Sequence, residues 1–282
     1  MSGRIFIAGY GIITSIGNNA TENYQSLIHR KCGFGSLEFL DTIHKHDLPA
    51  CEVKLSDNQL CELAGVSNGQ GYTRTVLLGI IAAWEAIKMA GLTDNEVSGA
   101  GLLSATTTGG IRELESHYYE LQNTELHGDF ELYADTANPG EHSERMAEVF
   151  GMKRYIATVS TACSSSANTV MLGARLINNG ELETAICGGT EALSKFTING
   201  FNSLMILDKE HCRPFDSSRK GLNLGEGAAY LVLESEDKVR RSGKKPVAEL
   251  KGYGNTNDAF HQTASSPDGA GERNGWQPEQ GH

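Results

Sequence analysis

Residues 156–169 read Ile156-Ala157-Thr158-Val159-Ser160-Thr161-Ala162-Cys163-Ser164-Ser165-Ser166-Ala167-Asn168-Thr169. A short β-branched run, 156–159, ends in small residues, and one cysteine sits at the break. Ala167, Val170, Met171, Ala174 and Ile177 then recur at spacings of three and four, which predicts a helix. Strand, tight turn, cysteine, helix places a thiol at a helix N-terminus. Unpaired N–H groups and the positive dipole end favour a thiolate there. Small neighbours on both sides leave room for a substrate backbone or a thioester. Two readings stay open at this point: an activated nucleophile, or a packed core cysteine, since free cysteine is among the most buried residue types.

The rest of the 282 residues bounds the class. Hydrophobic residues make up 39% and glycine is abundant at 33, which suits a turn-rich α/β protein. A net charge of −11 argues against a nucleic-acid partner. No run of about 18 apolar residues occurs, so no membrane span is expected. Met1-Ser2-Gly3-Arg4-Ile5 enters a strand without a signal-peptide pattern, and a cytoplasmic protein is expected. The six cysteines (Cys32, Cys51, Cys61, Cys163, Cys187 and Cys212) form no C-x-x-C pair, which points to free thiols rather than zinc or a disulfide framework. His44-Lys45-His46 lies in a polar stretch without nearby cysteine and is read as a solvated loop; neither a metal nor a cofactor is expected.

Residues 4–9 read as a buried strand that runs into Gly9-Tyr10-Gly11-Ile12-Ile13-Thr14. Strand plus G-x-G is how a dinucleotide unit opens. Thr14 occupies the third glycine position, and no acidic ribose ligand follows a second strand, so a nucleotide is set aside. Residues 19–29 look helical. Residues 73–90 form a strong helix with Val76, Leu77, Ile80, Ile81, Trp84 and Ile87 on one apolar stripe, Trp84 being read as core, and with Gly91 closing it. Strands are expected at 101–105, 184–187, 228–233 and 247–254, and a charged helix at 237–243. The strand–helix–strand order around Cys163 is a βαβ unit and implies a parallel sheet. In Arg213-Pro214-Phe215-Asp216-Ser217-Ser218-Arg219-Lys220-Gly221, Pro and Gly set a long turn that Asp216 and Arg219 can fix by pairing. Glu226, between Gly225 and Gly227, is read as a partly buried support residue.

Thr161-Ala162-Cys163-Ser164-Ser165-Ser166-Ala167 resembles the nucleophile motif of the β-ketoacyl-acyl-carrier-protein synthases, the condensing enzymes of fatty-acid and polyketide assembly. Gly188-Gly189-Thr190-Glu191-Ala192, the 213–221 turn with Gly225-Glu226-Gly227-Ala228-Ala229, and Asn257-Asp258-Ala259-Phe260-His261-Gln262-Thr263-Ala264 extend the resemblance over nearly the whole chain. It implies an α/β fold of the thiolase-like kind. This chain would be its N-terminal half, a mixed, mostly parallel sheet sandwiched by helices. A domain at 1–271 is expected, followed by a polar stretch, 272–282, read as the mark of a truncation or a shifted reading frame. The Gly9-Tyr10-Gly11 segment becomes a packing turn, and 113–150 becomes pocket wall and dimer contact.

The resemblance implies roles as well. Cys163 takes an acyl group from an acyl-carrier protein as a thioester, with its own backbone N–H helping to hold the oxyanion. A malonyl-carrier protein is then decarboxylated and condensed onto it. Thr108, before the Gly109-Gly110 pair, limits pocket depth. Phe201 stands near the nucleophile, or is simply core. Asp258, His261 and Thr263 guard the entry, His261 reading equally well as a turn residue. The family draws two histidines and a lysine from a second half whose His-Gly-Thr motif is absent here, so this chain is expected to hold the nucleophile without the condensation apparatus. A homodimer or heterodimer is implied. Carrier docking on basic side chains would fall to Arg74, Lys153 and Arg154. Two alternatives are weighed. One is a non-catalytic subunit that sets chain length for a partner; such subunits usually lack the cysteine, and Cys163 is present. The other is a cysteine hydrolase, for which no G-x-C-x-G elbow is found.

Overall fold

The apolar runs become six strands and eleven helices in a computed structural model, which describes residues 3–123, 130–261 and 265–269. The strands are β1 (Ile5–Thr14), β2 (Gly101–Ala105), β3 (Tyr155–Val159), β4 (Thr184–Glu191), β5 (Gly227–Ser235) and β6 (Ala248–Leu250). The helices are α1 (Ala20–Ile28), α2 (Asp57–Ala64), α3 (Arg74–Ala90), α4 (Asp94–Ser98), α5 (Ile111–Ser116), α6 (Tyr118–Gln122), α7 (Phe130–Tyr133), α8 (Gly140–Phe150), α9 (Ser165–Asn178), α10 (Lys195–Ser203) and α11 (Glu236–Ser242).

One mixed sheet runs in the order β3-β2-β4-β5-β1-β6. β2 pairs in parallel with β3 and β4; the β4–β5, β5–β1 and β1–β6 pairings are antiparallel. The sheet is therefore mixed, as expected, but not mostly parallel: two of its five pairings are parallel, both on one side, and three are antiparallel. The reason is local. The crossover through α9 demands parallel strands, whereas β1 and β5 join segments far apart in sequence and are free to run antiparallel.

Helices cover both faces. α3, with Leu77, Leu78, Ile80 and Ile87 fully buried, lies on one face beside α2 and α8. α9 lies on the other, where Ala174, Leu176 and Ile177 meet Leu103, Cys187 and Leu233. The α3 ends follow the sequence: Thr73 accepts a hydrogen bond from the Val76 N–H, and Gly91 closes the helix at φ 61°. Trp84 corrects the stripe. It is exposed at the helix edge, its ring meeting Phe150 edge-on at 5.1 Å. The glycine pair at 9 and 11 is not a turn. Both lie within β1, where a Cβ on Gly11 would stand 2.1 Å from the Ala82 carbonyl of α3. Their absent side chains let strand and helix approach.

One buried polar cluster interrupts this core. His142 of α8 lies with Nδ1 2.6 Å from the Pro139 carbonyl oxygen, which can only accept. Nδ1 therefore carries the proton, and Nε2 accepts from the Ser104 hydroxyl at 2.7 Å. Ser104 in turn accepts from Tyr230. Burial pushes the His142 pKa down to about 4, with the bond to Pro139 opposing. The unfolded chain therefore binds a proton that the folded chain refuses between about pH 6.5 and pH 4, and stability contributed by neutral His142 is lost as pH falls through that window. Glu113, raised to about 7 by burial, works in the opposite sense, so the difference between variants is what isolates His142. Urea melts of wild type and His142→Gln should differ by up to about 3 kcal/mol less at pH 4 than at pH 7. Parallel pH profiles would contradict this.

Candidate active site

The turn between β3 and α9 is held by its hydroxyl groups. Ser165 accepts from the Thr161 N–H at 2.7 Å and donates to the Ala162 carbonyl at 2.6 Å. Asn168, one turn along α9, donates to the Thr161 hydroxyl at 2.8 Å and accepts from Asn255 at 3.0 Å. These bonds hold Ala162 at φ 53°, a left-handed conformation that costs a residue with a side chain of order 1 kcal/mol or more. The strained residue directly precedes Cys163, whose thiol is exposed in the short helical turn Ala162–Ser164 leading into α9. Among the described residues the thiol is thus not packed in the core.

A cavity of about 400 Å³ opens beside this turn. Ala162, Ser165, Ser166, Gly189, Glu191 and Glu226 are among the residues that line it. Gly189 admits the start of α9, since a Cβ there would stand 2.2 Å from the Ser166 hydroxyl oxygen. Glu191, at the end of β4, grips the loop after β2. It accepts from the Thr107 N–H at 2.6 Å, the Thr108 hydroxyl at 2.6 Å and the Thr106 hydroxyl at 3.1 Å. Thr106 and Glu191 line the cavity, and Thr108 is bound to its wall through Glu191.

Glu226 forms the other wall, and its side chain is completely buried rather than partly so. Its carboxylate accepts from the Val53 and Leu193 N–H groups, each at 3.0 Å, and from Arg74 at 2.7 Å. Arg74 is buried as well, so it is no docking residue. Its remaining N–H groups reach the Leu55 carbonyl at 2.9 Å, the Val53 carbonyl at 2.8 Å and Asp57 at 2.7 Å. Burial works against its charge, but Glu226 and Asp57 together hold its pKa above the ordinary value. Position 74 shares the helical face of Leu77 and Leu78, and that spacing was the available signal for its burial.

The other expected residues are more scattered. Asp216 and Arg219 are exposed and do not pair through the carboxylate. Asp216 accepts from the Ser218 hydroxyl and N–H, each at 2.7 Å, which lowers its pKa, while Arg219 donates to the Asp216 carbonyl at 3.0 Å. The turn is fixed by a neighbouring serine instead. Phe201 is half-buried on α10. Asp258 accepts from the Ser266 N–H at 2.8 Å and the Phe260 N–H at 3.0 Å, which lowers its pKa and folds the segment onto itself. His261 is exposed, and Thr263 lies outside the described residues, as does 272–282. Lys153 and Arg154 are exposed, Arg154 donating to the Glu181 carbonyl at 2.9 Å. Among the described residues, no group of three or more His, Cys, Asp or Glu side chains is arranged to hold a metal ion, and no helix is long and apolar enough to cross a membrane.

A profile of the beta-ketoacyl synthase N-terminal domain matches residues 2–238. The chain belongs to the beta-ketoacyl synthase family. A 3-oxoacyl-[acyl-carrier-protein] synthase 2 of Synechocystis is 32% identical over 95% of this chain and 66% of its own length. The chain thus spans about two thirds of the length of the curated relatives it matches. The structure of the ishigamide ketosynthase/chain length factor superposes at a TM-score of 0.84 with 29% identity, covering 98% of this chain and 69% of the other. A ketosynthase in complex with its chain length factor, from Xenorhabdus doucetiae, gives 0.78 with 27% identity, covering 96% and 65%. In this beta-ketoacyl synthase domain, removing the charge of Glu226 strands Arg74 in the core. Glu226→Gln should lower stability by about 3 kcal/mol or more in urea melts at pH 7. A loss under about 1 kcal/mol would show that Asp57 alone satisfies Arg74.

Proposed function

We propose that this chain supplies the acyl-accepting half of a ketosynthase. Cys163 attacks an acyl thioester presented by an acyl-carrier protein, the S–C bond to the carrier breaks, and the acyl group passes to the enzyme. The observation that carries the reading is the placement of Cys163: an exposed thiol after a strained residue, in a turn whose Ala162, Ser165 and Ser166 line the cavity although Cys163 itself does not. The cavity volume suits a small ligand or an acyl chain segment. The Cys163 N–H, in the first turn, is a donor for the thioester oxyanion. By family likeness Thr108 and Phe201 belong to the acyl pocket, and Asp258, His261 and Thr263 to its entry.

The second half-reaction, decarboxylation of a malonyl thioester and attack on the acyl-enzyme, needs groups that the cavity does not present. No histidine lines it among the described residues. A heterodimer with a chain-length subunit is a natural setting, given the two structural relatives, and the presence of Cys163 favours the ketosynthase side for this chain. β3, one of the two terminal strands of the sheet among the described residues, offers an edge for a second copy or such a partner.

Intact mass spectrometry after incubation with an acyl-carrier-protein thioester tests the proposal. One acyl adduct is expected on wild type and none on Cys163→Ala, with no β-ketoacyl product on adding the malonyl thioester. An adduct that survives in Cys163→Ala would contradict the assignment of the nucleophile. A β-ketoacyl product would contradict the division between the two half-reactions.

A further inference from the structure

The loop that leaves β2, Thr106-Thr107-Thr108-Gly109, takes its shape from one carboxylate. Glu191 ends β4, which pairs in parallel with β2 and runs on past the Ala105–Gly189 pair. Its Oε1 accepts from the Thr106 hydroxyl at 3.1 Å, the Thr108 N–H at 3.3 Å and the Thr108 hydroxyl at 2.6 Å. Its Oε2 accepts from the Thr107 N–H at 2.6 Å. One side chain thus holds Thr106, Thr107 and Thr108 together. The far side of the loop is fixed from α3. The Thr190 hydroxyl donates to the Thr75 carbonyl at 2.7 Å, and the Thr75 hydroxyl donates to the Gly109 carbonyl at 2.8 Å. The Gly109 N–H turns back to the Thr106 hydroxyl oxygen at 3.1 Å, with Gly109 at φ 56°.

These bonds decide what position 108 shows to the cavity. Thr106 and Glu191 line it, and Thr108 does not. The Thr108 hydroxyl is taken up by Glu191, and in a β-branched side chain fixing the hydroxyl fixes the methyl with it. We propose that Glu191 is a positioning residue for chain-length selection, a role that rests on the acyl-transfer reading of Cys163. Its clamp holds the Thr108 side chain out of the cavity, and the cavity keeps room for a longer acyl chain. An amide at 191 has a single acceptor oxygen, so it cannot take the Thr107 N–H on one atom and the threonine hydroxyls on the other. Thr108 is then free to turn about χ1 into the cavity space. A long chain meets it there, and a short chain is affected less.

The test is a competition. The 282-residue protein is incubated with an equimolar mixture of the hexanoyl and dodecanoyl thioesters of an acyl-carrier protein, and the two adducts on Cys163 are resolved by intact mass. In Glu191→Gln the dodecanoyl-to-hexanoyl ratio should fall about tenfold from the wild-type value, the scale of one misplaced methyl group in an apolar pocket. Thr108→Val keeps the shape of the side chain and loses its bond to Glu191, and should shift the ratio the same way. Glu191→Gln combined with Thr108→Ala should return the ratio toward wild type, because nothing beyond Cβ remains at 108 to turn inward. A carboxylate that only supports the fold is not rescued by trimming its neighbour.

An unchanged ratio in Glu191→Gln and Thr108→Val overturns the role of Glu191 and leaves Cys163 as the acyl acceptor. So does a loss common to both chain lengths that Thr108→Ala does not restore, or a wild type that takes hexanoyl alone. No adduct from either thioester on wild type overturns the acyl-transfer reading itself, and the role of Glu191 with it.

Discussion

The buried ion pair between Arg74 and Glu226 is the constraint on which the site depends. Taking both charges out of water costs several kcal/mol each, and attraction alone does not repay this. What makes the pair tenable is complete use of its hydrogen-bonding capacity. The guanidinium N–H groups are shared among Glu226, Asp57 and the carbonyls of Val53 and Leu55, and the carboxylate also takes the N–H groups of Val53 and Leu193. Those partners come from four separate stretches: the 51–57 segment, the start of α3, the entry to α10 and the start of β5. One carboxylate ties these stretches together, beside the backbone bonds of Cys51 to Leu224 and Glu226 and the end of the β4–β5 ladder. The cavity wall at Glu226 inherits its rigidity from that joint.

The turn that carries Cys163 is organised differently. Its bonds are local, hydroxyl to backbone over three or four residues, and it carries strain at Ala162. Small residues do the long-range work: Gly189 admits the start of α9 to the end of β4, and Gly11 admits α3 to β1. The strained turn sits on a crossover whose two strands both pair with β2, so the parallel side of the sheet fixes where Cys163 stands. The antiparallel side brings β5, and with it Glu226, to the same end of the sheet. The site lies where the two halves of the mixed sheet meet.

Much of this was legible in the sequence. The caps at Thr73 and Gly91 marked α3, the run 101–105 gave β2 with its observed bounds, and small residues around Cys163 marked the turn. What escaped were features set by partners distant in the chain. Gly9 and Gly11 look like a turn until α3 is laid against them. The antiparallel pairing of β1 with β5 joins residues over two hundred positions apart, as Ile5 with Ser235, and no local pattern specifies it. Arg74 looks like a surface cation until the carboxylate that neutralises it is found at 226. His142 gives no sign in sequence of being buried, because its partners Ser104 and Tyr230 lie on other strands.

Two thiols, Cys32 and Cys163, are exposed, and only Cys163 belongs to a turn whose residues line the cavity. The central claim is that the cavity and the turn, rather than exposure, select the acyl acceptor. Peptide-resolved acylation of all six cysteines under limiting acyl-carrier-protein thioester measures this directly. The account predicts that the Cys163 peptide is acylated at least about tenfold faster than the Cys32 peptide. Equal acylation of the two would mean that solvent access alone decides, and that the fold around Cys163 contributes nothing to its chemistry.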